Sequence, residues 1–542
     1  MTTPAPSSEE SREPVATTGS HTAPKGGTQR LLAAGGVLAV LVVLVGILLR
    51  ASYIGHQLLW DEAMALCTAR SFVSGGRDFF SYWFWRHPPL YSLLTFALLP
   101  TSPGFAERVE WLSVALGCLN LLLLYRVNAQ LLGVAPAWWS LVLLATMPGS
   151  VFFDTWIKTD HLVSTFGLLA ILALHRQRIA YAGLSLGLAL LSKETAVFYY
   201  LTALLALAAG SYGQRGWLRR LALLAVLPIA AASWWYLLFA GRLEGATGFS
   251  LAGVIEHTRF AGGAESHWAA PWTYYLRQWP VLLGWHGLLL VLIGIPVAAT
   301  AFWSGSLRNA GQDASAHDTR SRRALAAWPI VLVLVSFASL SFIPSKVSWI
   351  VICTLPAFAT LQAGGLCALW RGVSARLETR TGAGILLSAC LALALTGAAW
   401  LARDYDRMLL KLVPEQQHGA VMSRRIAETM NGLVNPGDSV LITSFHYWTG
   451  LPPGQPCAVF TYYFSKSRDV DVLIRPHTAR GQDLADDVIR YEIDWAILSP
   501  PQGDPERDVF GCFAGTYGLL PIQLDGAWIF DTRSLRRGAA MP

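Results

Sequence analysis

WDEAMALCTARSFVSGGRDFFSYWFWRHPPLY, residues 60–91, follows the first long apolar run of the chain, and the remaining segments are placed relative to it. It is dense in groups that do not belong inside a bilayer. Asp61 and Glu62 stand side by side at its start, and Arg86-His87-Pro88-Pro89-Leu90 lies near its end. Trp60, Trp83, Trp85, Tyr82 and Tyr91 flank these charges, as expected of a segment lying at a membrane interface, where amphipathic rings are favoured. An acidic pair and a basic Pro-Pro corner on one interfacial loop suit the holding of a phosphate and the activation of a hydroxyl. The same residue types also suit an ordinary solvated loop after a first helix.

The 542 residues are 54% hydrophobic and 14% charged, with a mean hydropathy of +0.43. Soluble domains carry roughly a quarter charged residues, so the chain is expected to be a polytopic membrane protein. Its formal charge of +7 does not point to nucleic acid, because the arginines are spread over many short loops with no dense basic patch. Cysteines at 67, 118, 353, 367, 390, 457 and 512 form no CxxC, which leaves neither a zinc spacing nor a disulfide framework. Cys457 and Cys512 share the soluble tail, where a bridge and two thiols are both open. No internal repeat is evident.

Residues 1–29 are rich in Ser, Thr, Pro, Gly and Glu. They cannot bury enough apolar surface to fold and are expected to be a disordered cytoplasmic tail. LLAAGGVLAVLVVLVGILL (31–49) follows, an uncharged run long enough to span a bilayer. A cleaved signal peptide is the alternative; the length of the run and the lack of a small-x-small site favour a retained helix. PPLYSLLTFALLP (88–100) is too short to span and suits an interfacial helix. Further spans are expected at 107–126, 136–153, 161–175, 180–192, 195–210, 219–240, 280–303, 324–343, 348–370 and 381–402. The expected architecture is thus a membrane all-α bundle of about eleven helices over residues 30–402, some tilted or short. Ser192-Lys193-Glu194 interrupts the 180–210 region, where the count is least defined.

With the N-terminus inside, the inner connections carry Arg126, then Arg176 and Arg178, then Arg215, Arg219 and Arg220. Arg308, Arg320, Arg322 and Arg323 follow, and last Arg371, Arg376 and Arg380. Every inner loop is then basic, as the positive-inside rule requires. On the other face the same register puts Asp61, Glu62, His87, Asp154, Lys158, Asp160, His161, Lys193, Glu194 and Lys346 at the outer ends of spans. Ionisable groups at that depth cost a few kcal/mol each unless paired or used, so a polar cavity opening outward is expected. The outer loop 242–279, with Glu244, Glu256, His257, Glu265 and His267, is either a plain connection or a flap over that cavity.

From Arg403 the character is that of a soluble domain, 403–542, placed extracytoplasmically by an odd span count. An amphipathic helix is expected at 418–433, a turn at Asn435-Pro436-Gly437-Asp438 and a second helix near 481–491. SVLIT (439–443), CAVFTYYF (457–464), DVDVLI (469–474), DWAILS (494–499) and AWIFDT (527–532) have strand composition. No nucleophile elbow, phosphate loop or metal spacing occurs in it.

Several of these pieces carry a family resemblance. Asp61-Glu62 follows the first span; His87-Pro88-Pro89-Leu90-Tyr91 closes the first outer loop; Lys158-Thr159-Asp160-His161 opens a later span; and GLSLGLALLSKETAVFYYL covers 183–201. In this order and spacing the chain resembles the polytopic glycosyltransferases of the GT-C type, in particular the bacterial protein-mannosyltransferase-like and aminoarabinose-transferase-like group. The resemblance covers residues 30–210 well and the later spans by hydropathy only. Arg86 stands where relatives often have an acidic residue, which weakens a metal site there. SFIPSKVSWIVICTLPAFATL (341–361) lacks the Arg-Tyr of many relatives, a place Lys346 suits.

The resemblance implies a GT-C-like fold with interfacial helices in the first outer loop. It also implies transfer of a sugar from a polyprenyl-phosphate carrier to a protein, lipid or envelope-glycan acceptor at the outer face of the cytoplasmic membrane. Such a donor requires no nucleotide cofactor, and the chain shows no phosphate-binding Gly-rich loop. An acceptor hydroxyl loses its proton as it attacks, and Asp61 is the candidate general base, with inversion as the family expectation. Glu62 is expected to orient Asp61, to bind a divalent metal ion, or simply to face outward. Asp160 is a second acidic candidate, for the acceptor or a cation, and is otherwise a helix cap; a metal site, if present, would use Asp61, Glu62 and Asp160. The leaving phosphate calls for cations, for which Arg86, His87, Lys193 and Lys346 are candidates, Lys193 first. Snorkelling is the alternative for the two lysines. Lys158, His161 and Glu194 are weaker substrate-binding candidates. A transporter or flippase of lipid-linked substrates is the rival function. It would be expected to show inverted repeats and paired midplane breaks, whereas here the charge collects on one face.

Overall fold

The computed structural model describes residues 40–56, 58–73, 75, 88–238, 271–308, 315–342, 348–376, 408, 412, 414–443, 458–464, 471–475, 480–498, 509–524 and 527–538. The tail 1–29, the 242–270 stretch of the outer loop, the expected span 381–402, and Arg86, His87, Lys346 and Cys457 lie outside these residues.

The N-terminal part is helical. α1 (Val40–Ala51) is followed by α2 (Trp60–Val73), α3 (Leu90–Phe96), α4 (Phe105–Leu131), α5 (Val134–Thr146), α6 (Pro148–Phe153), α7 (Asp160–His175) and α8 (Ile179–Leu190). α9 (Val197–Ser211), α10 (Trp217–Leu238), α11 (Tyr274–Leu283), α12 (Trp285–Arg308), α13 (Ser315–Ala326), α14 (Trp328–Phe342) and α15 (Leu355–Arg376) complete it. Among the described residues four helices are long and apolar enough to cross a membrane, or up to six if each of two bent pairs is one span. α1, α5, α7 and α8 are shorter apolar helices.

Local chemistry sets the breaks. The expected span 136–153 is divided because Met147 is extended at ψ 125 and Pro148 opens α6, where its missing N–H costs nothing at a first helical position. Between α8 and the turn Glu194–Ala196, Lys193 is extended (φ −166, ψ 152), so 180–210 forms two separate helices. α11 and α12 meet at 111° across Gly284, whose φ of +73 is open to glycine at little cost. α12 packs along α15. At their crossing a Cβ on Gly294 would overlap the Leu361 carbonyl oxygen, and one on Gly365 the Leu290 carbonyl; small residues let membrane helices approach this closely.

The C-terminal part holds a five-stranded sheet: β1 (Ser439–Thr443), β2 (Asp471–Arg475), β3 (Trp495–Leu498), β4 (Pro521–Leu524) and β5 (Ala527–Asp531). The order is β2-β1-β3-β5-β4, with β1 parallel to β2 and β3, and β5 antiparallel to β3 and β4. The amphipathic helices Pro414–Leu433 and Gly481–Arg490 stand where the sequence expects them.

CAVFTYYF corrects one expectation. Ala458–Tyr463 is a helix, although its aromatic and β-branched composition favours a strand. Such propensity is mostly a response to the surface available, and here the surface is helical. Ala458–Tyr463 packs on α2, with Val459, Phe460 and Phe464 buried and the Phe460 and Phe464 rings 5.2 Å apart. β4, sequence PIQL, is a strand that composition does not announce; it forms as the edge partner of β5.

Candidate functional site

The site is assembled by buried polar contacts between elements far apart in sequence. Arg50, at the end of α1, is fully buried. Its Nε and Nη2 donate to Asp154 Oδ2 at 2.9 and 2.6 Å, and Nη2 donates to Ser150 Oγ at 2.8 Å. Nη1 donates to the carbonyls of Gly46 (2.9 Å) and Ala145 (3.1 Å). Burial alone would raise the Asp154 carboxyl, but Arg50 and then His161 hold it down at about 2. His161 Nδ1 lies 3.3 Å from Asp154 Oδ1. This anchor fixes the segment Thr155–Thr159, which carries Lys158 and leads into Asp160.

Glu62 is the second anchor. It is wholly buried and is the third residue of α2. Its carboxylate accepts the backbone N–H of Leu59 at 2.9 Å, one half of a capping box. It also accepts the N–H of Ile157 at 3.0 Å, which ties α2 to the Thr155–Thr159 segment. His56 Nε2 lies 3.0 Å from Glu62 Oε1, and His56 Nδ1 lies 3.5 Å from Glu110 Oε1. Glu110 in turn accepts the Gly55 N–H at 2.6 Å.

Between these anchors, two ammonium–carboxylate pairs come together. Lys158 Nζ donates to Asp61 Oδ2, with the Asp61 side chain 34% exposed and Lys158 7%. Lys193 Nζ donates to Asp160 Oδ2 at 2.6 Å, with Asp160 fully buried and Lys193 21% exposed. Thr195 Oγ1 lies 3.4 Å from Asp160 Oδ1. Burial draws the Lys193 ammonium toward neutrality, but Asp160, with smaller contributions from Asp61 and Glu194, more than offsets this and raises its pKa. Lys193 is therefore a cation at neutral pH that senses both carboxylates. The turn Ser348–Thr354, just beyond Lys346, packs on α7 and on the Glu194–Ala196 turn.

Asp61, Lys158, Asp160 and Lys193 thus form one cluster, with Glu194 beside it. Glu62 shares its helix turn with Asp61 but turns into the core. His161 faces Asp154 instead of the open side. Arg86, His87 and Lys346 lie outside the described residues. Sequence reasoning missed Arg50, His56 and Glu110 as members of the supporting network. Arg50 carried a signal, a charge closing an apolar run, but such a charge ordinarily marks only the interface.

Among the described residues no group of three His, Cys, Asp or Glu side chains could hold a metal ion. Of the three candidate ligands, Asp61 faces Lys158, Asp160 faces Lys193, and Glu62 is filled by two backbone amides and His56. As arranged, these residues do not fit a divalent cation. Among the described residues, the cations that face Asp61 and Asp160 are the Lys158 and Lys193 ammoniums.

Residues 86–236 match the family model described as dolichyl-phosphate-mannose-protein mannosyltransferase. No curated protein sequence matches the chain. Among solved structures, it is similar to ArnT from Cupriavidus metallidurans bound to undecaprenyl phosphate, with a TM-score of 0.57 and 15% identity over 91% of this chain and 97% of that one. It is also similar to the Archaeoglobus fulgidus oligosaccharyltransferase tethered to an acceptor peptide, with a TM-score of 0.55 and 12% identity over 86% of this chain and 69% of that one. The archaeal oligosaccharyltransferase AglB from Archaeoglobus fulgidus, in complex with an inhibitory peptide and a dolichol-phosphate, gives 0.53 and 14% over the same shares. At these identities the likeness is one of fold, and the fold extends over nearly the whole chain.

Proposed function

We propose that this chain, which carries the fold of the GT-C membrane glycosyltransferases, transfers a sugar from a polyprenyl-phosphate donor to a hydroxyl of a protein, lipid or envelope-glycan acceptor at the outer face of the cytoplasmic membrane. The observation that carries the proposal is the pairing of Asp61 with Lys158 beside that of Asp160 with Lys193. Two carboxylates and two ammoniums, partly open to solvent, supply a proton acceptor and a phosphate-binding charge at one place. The solved structures of similar fold hold undecaprenyl phosphate, a dolichol-phosphate or a tethered acceptor peptide, which supports the donor and acceptor classes.

The chemistry follows from the charges. The donor phosphate competes with Asp61 and Asp160 for Lys158 and Lys193. As an ammonium turns to the phosphate, Asp61 gains basicity. The acceptor then attacks the anomeric carbon, its proton passes to the Asp61 carboxylate, and the bond from that carbon to the phosphate oxygen breaks with its electron pair on the polyprenyl phosphate. Attack opposite the leaving group inverts the anomeric centre. General-base help of this kind contributes about 10²–10⁴-fold, and fixed cations at the leaving phosphate add electrostatic stabilisation. Arg86, His87 and Lys346 are proposed to complete the phosphate site, and Glu62 to position Asp61. In the accompanying topology, residues 1–29 are cytoplasmic, 30–402 form the bundle of about eleven spans, and 403–542 form an outer domain.

The test is transfer by the purified protein in lipid, with labelled polyprenyl-phosphate sugars and a cell-envelope acceptor fraction. Wild type is compared with Asp61→Asn, and donor binding is measured in both. Transfer by wild type alone, with donor bound by both, is expected. Normal transfer by Asp61→Asn would remove Asp61 as base. Donor binding without transfer of any of several sugars would remove the transferase function.

A further inference from the structure

The bundle has a second charged site at the end opposite the Asp61 cluster. α4 begins near that cluster, where Glu110 accepts the Gly55 amide, and runs on to Leu131. At 1.5 Å per residue, Leu131 lies about 30 Å from Glu110. There a cavity of about 380 Å³ opens between the end of α4, the start of α5, α12, the bend between α13 and α14, and α15. Its walls are mostly apolar, Val297, Ala298 and Leu361 among them, and its charged lining residues are Arg323 and Arg371. Among the described residues that line it, none is acidic. Arg371 is exposed, and its Nε donates to the Cys367 carbonyl at 3.3 Å. Arg320 and Arg322 extend the positive charge along α13.

Two arginines among otherwise mostly apolar lining residues complement an anion that carries an apolar tail. Arginine matches phosphate oxygens with paired hydrogen bonds, and basic pockets between membrane helices on the cytoplasmic side suit lipid head groups. We propose that this cavity binds the phosphate headgroup of an anionic membrane lipid, with Arg323 and Arg371 at the phosphate and the first acyl carbons against Val297 and Leu361. A free phosphate ion would meet the arginines but leave the apolar wall wet, so the lipid is the better match. The bound lipid bridges α13 and α15 and holds the α13–α14 bend against the bundle. Nothing in this site depends on the transfer chemistry, since only the packed bundle and the two arginines are required.

The experiment uses the purified full chain in neutral detergent and follows its melting temperature as lipid is added. Phosphatidylglycerol is expected to raise it, while phosphatidylcholine and inorganic phosphate at equal concentration leave it unchanged. Arg323→Gln with Arg371→Gln should weaken the apparent affinity for phosphatidylglycerol by about thirtyfold, from the surface charge worth of two arginines. Gly364→Leu gives an independent variant that keeps both arginines. A Cβ there meets nothing within 4 Å, and the longer side chain fills the cavity, so the lipid shift should vanish while cooperative melting remains. An equal rise with phosphatidylcholine would overturn the proposal, as would a full shift with inorganic phosphate alone. Retention of the phosphatidylglycerol shift in both variants would place the lipid elsewhere and overturn it too.

Discussion

Replacing Glu62 with glutamine separates the roles of two carboxylates that are neighbours in sequence. The Glu62 oxygens accept one buried backbone amide each, Leu59 at 2.9 Å and Ile157 at 3.0 Å. A glutamine amide, whichever way it is turned, presents an NH2 to one of those N–H groups. A buried donor left facing a donor costs about 1–3 kcal/mol, and His56 also loses the charge it faces. Asp61→Asn differs, because the Asp61 side chain is 34% exposed, so solvent moderates the loss of its charge, and the asparagine carbonyl can still accept from the Lys158 ammonium. Its loss falls on the reaction, at about 10²–10⁴-fold. The assay is melting in detergent beside labelled-sugar transfer per folded molecule. Glu62→Gln should melt several degrees below wild type and keep transfer within about tenfold, whereas Asp61→Asn should melt like wild type and lose transfer by the general-base factor. If Glu62→Gln melts like wild type and loses transfer as fully as Asp61→Asn, Glu62 belongs to the chemistry and its role as a structural strut is wrong.

Lys193→Met leaves the fully buried Asp160 without its ammonium, a change that costs about 3–5 kcal/mol. The double variant with Asp160→Asn should recover much of the melting temperature while transfer stays lost. His56 gives a pH dependence. Burial lowers its pKa, but Glu62 and Glu110, with the Tyr53 carbonyl, outweigh this and raise it above 6.5. A raised pKa means that its stabilisation is fully present below about pH 6.5 and fades as the pH climbs through the folded-state value. The melting advantage of wild type over His56→Gln should therefore be largest near pH 6 and shrink toward about pH 9. At the α12–α15 crossing, Gly294→Ala forces its methyl onto the Leu361 carbonyl and should abolish stable, monodisperse protein. Gly364→Ala, one residue before Gly365 on the same helix, meets open space and should melt at or slightly above wild type, since alanine favours the helix by about 1 kcal/mol.

The helices of the bundle were legible because the signal that makes them is local. A membrane segment must satisfy its backbone internally and bury apolar side chains, so runs such as 107–126 and 161–175 announce α4 and α7 within a few residues. β1, β3 and β5 were legible for a similar reason, as short apolar runs between turns. CAVFTYYF was not, since nothing inside those residues distinguishes a buried strand from a short helix seated on α2. Met147-Pro148 and Lys193 break the chain where composition alone runs two elements together.

The sequence by itself determined a polytopic bundle, an acidic pair after the first apolar run, Lys158, Asp160 and Lys193 at the ends of later apolar runs, and an α/β unit at the end. Hydropathy and charge act residue by residue and need no partner to be read. Only the tertiary structure decided which charge meets which. Lys158 reaches Asp61 from 97 residues away and Lys193 reaches Asp160 from 33, separations that carry no local pattern. Successive residues on a helix point about 100° apart, so one of Asp61 and Glu62 had to face the open site and the other the core. The Ile157 amide and His56, packed from elsewhere, made Glu62 the buried one.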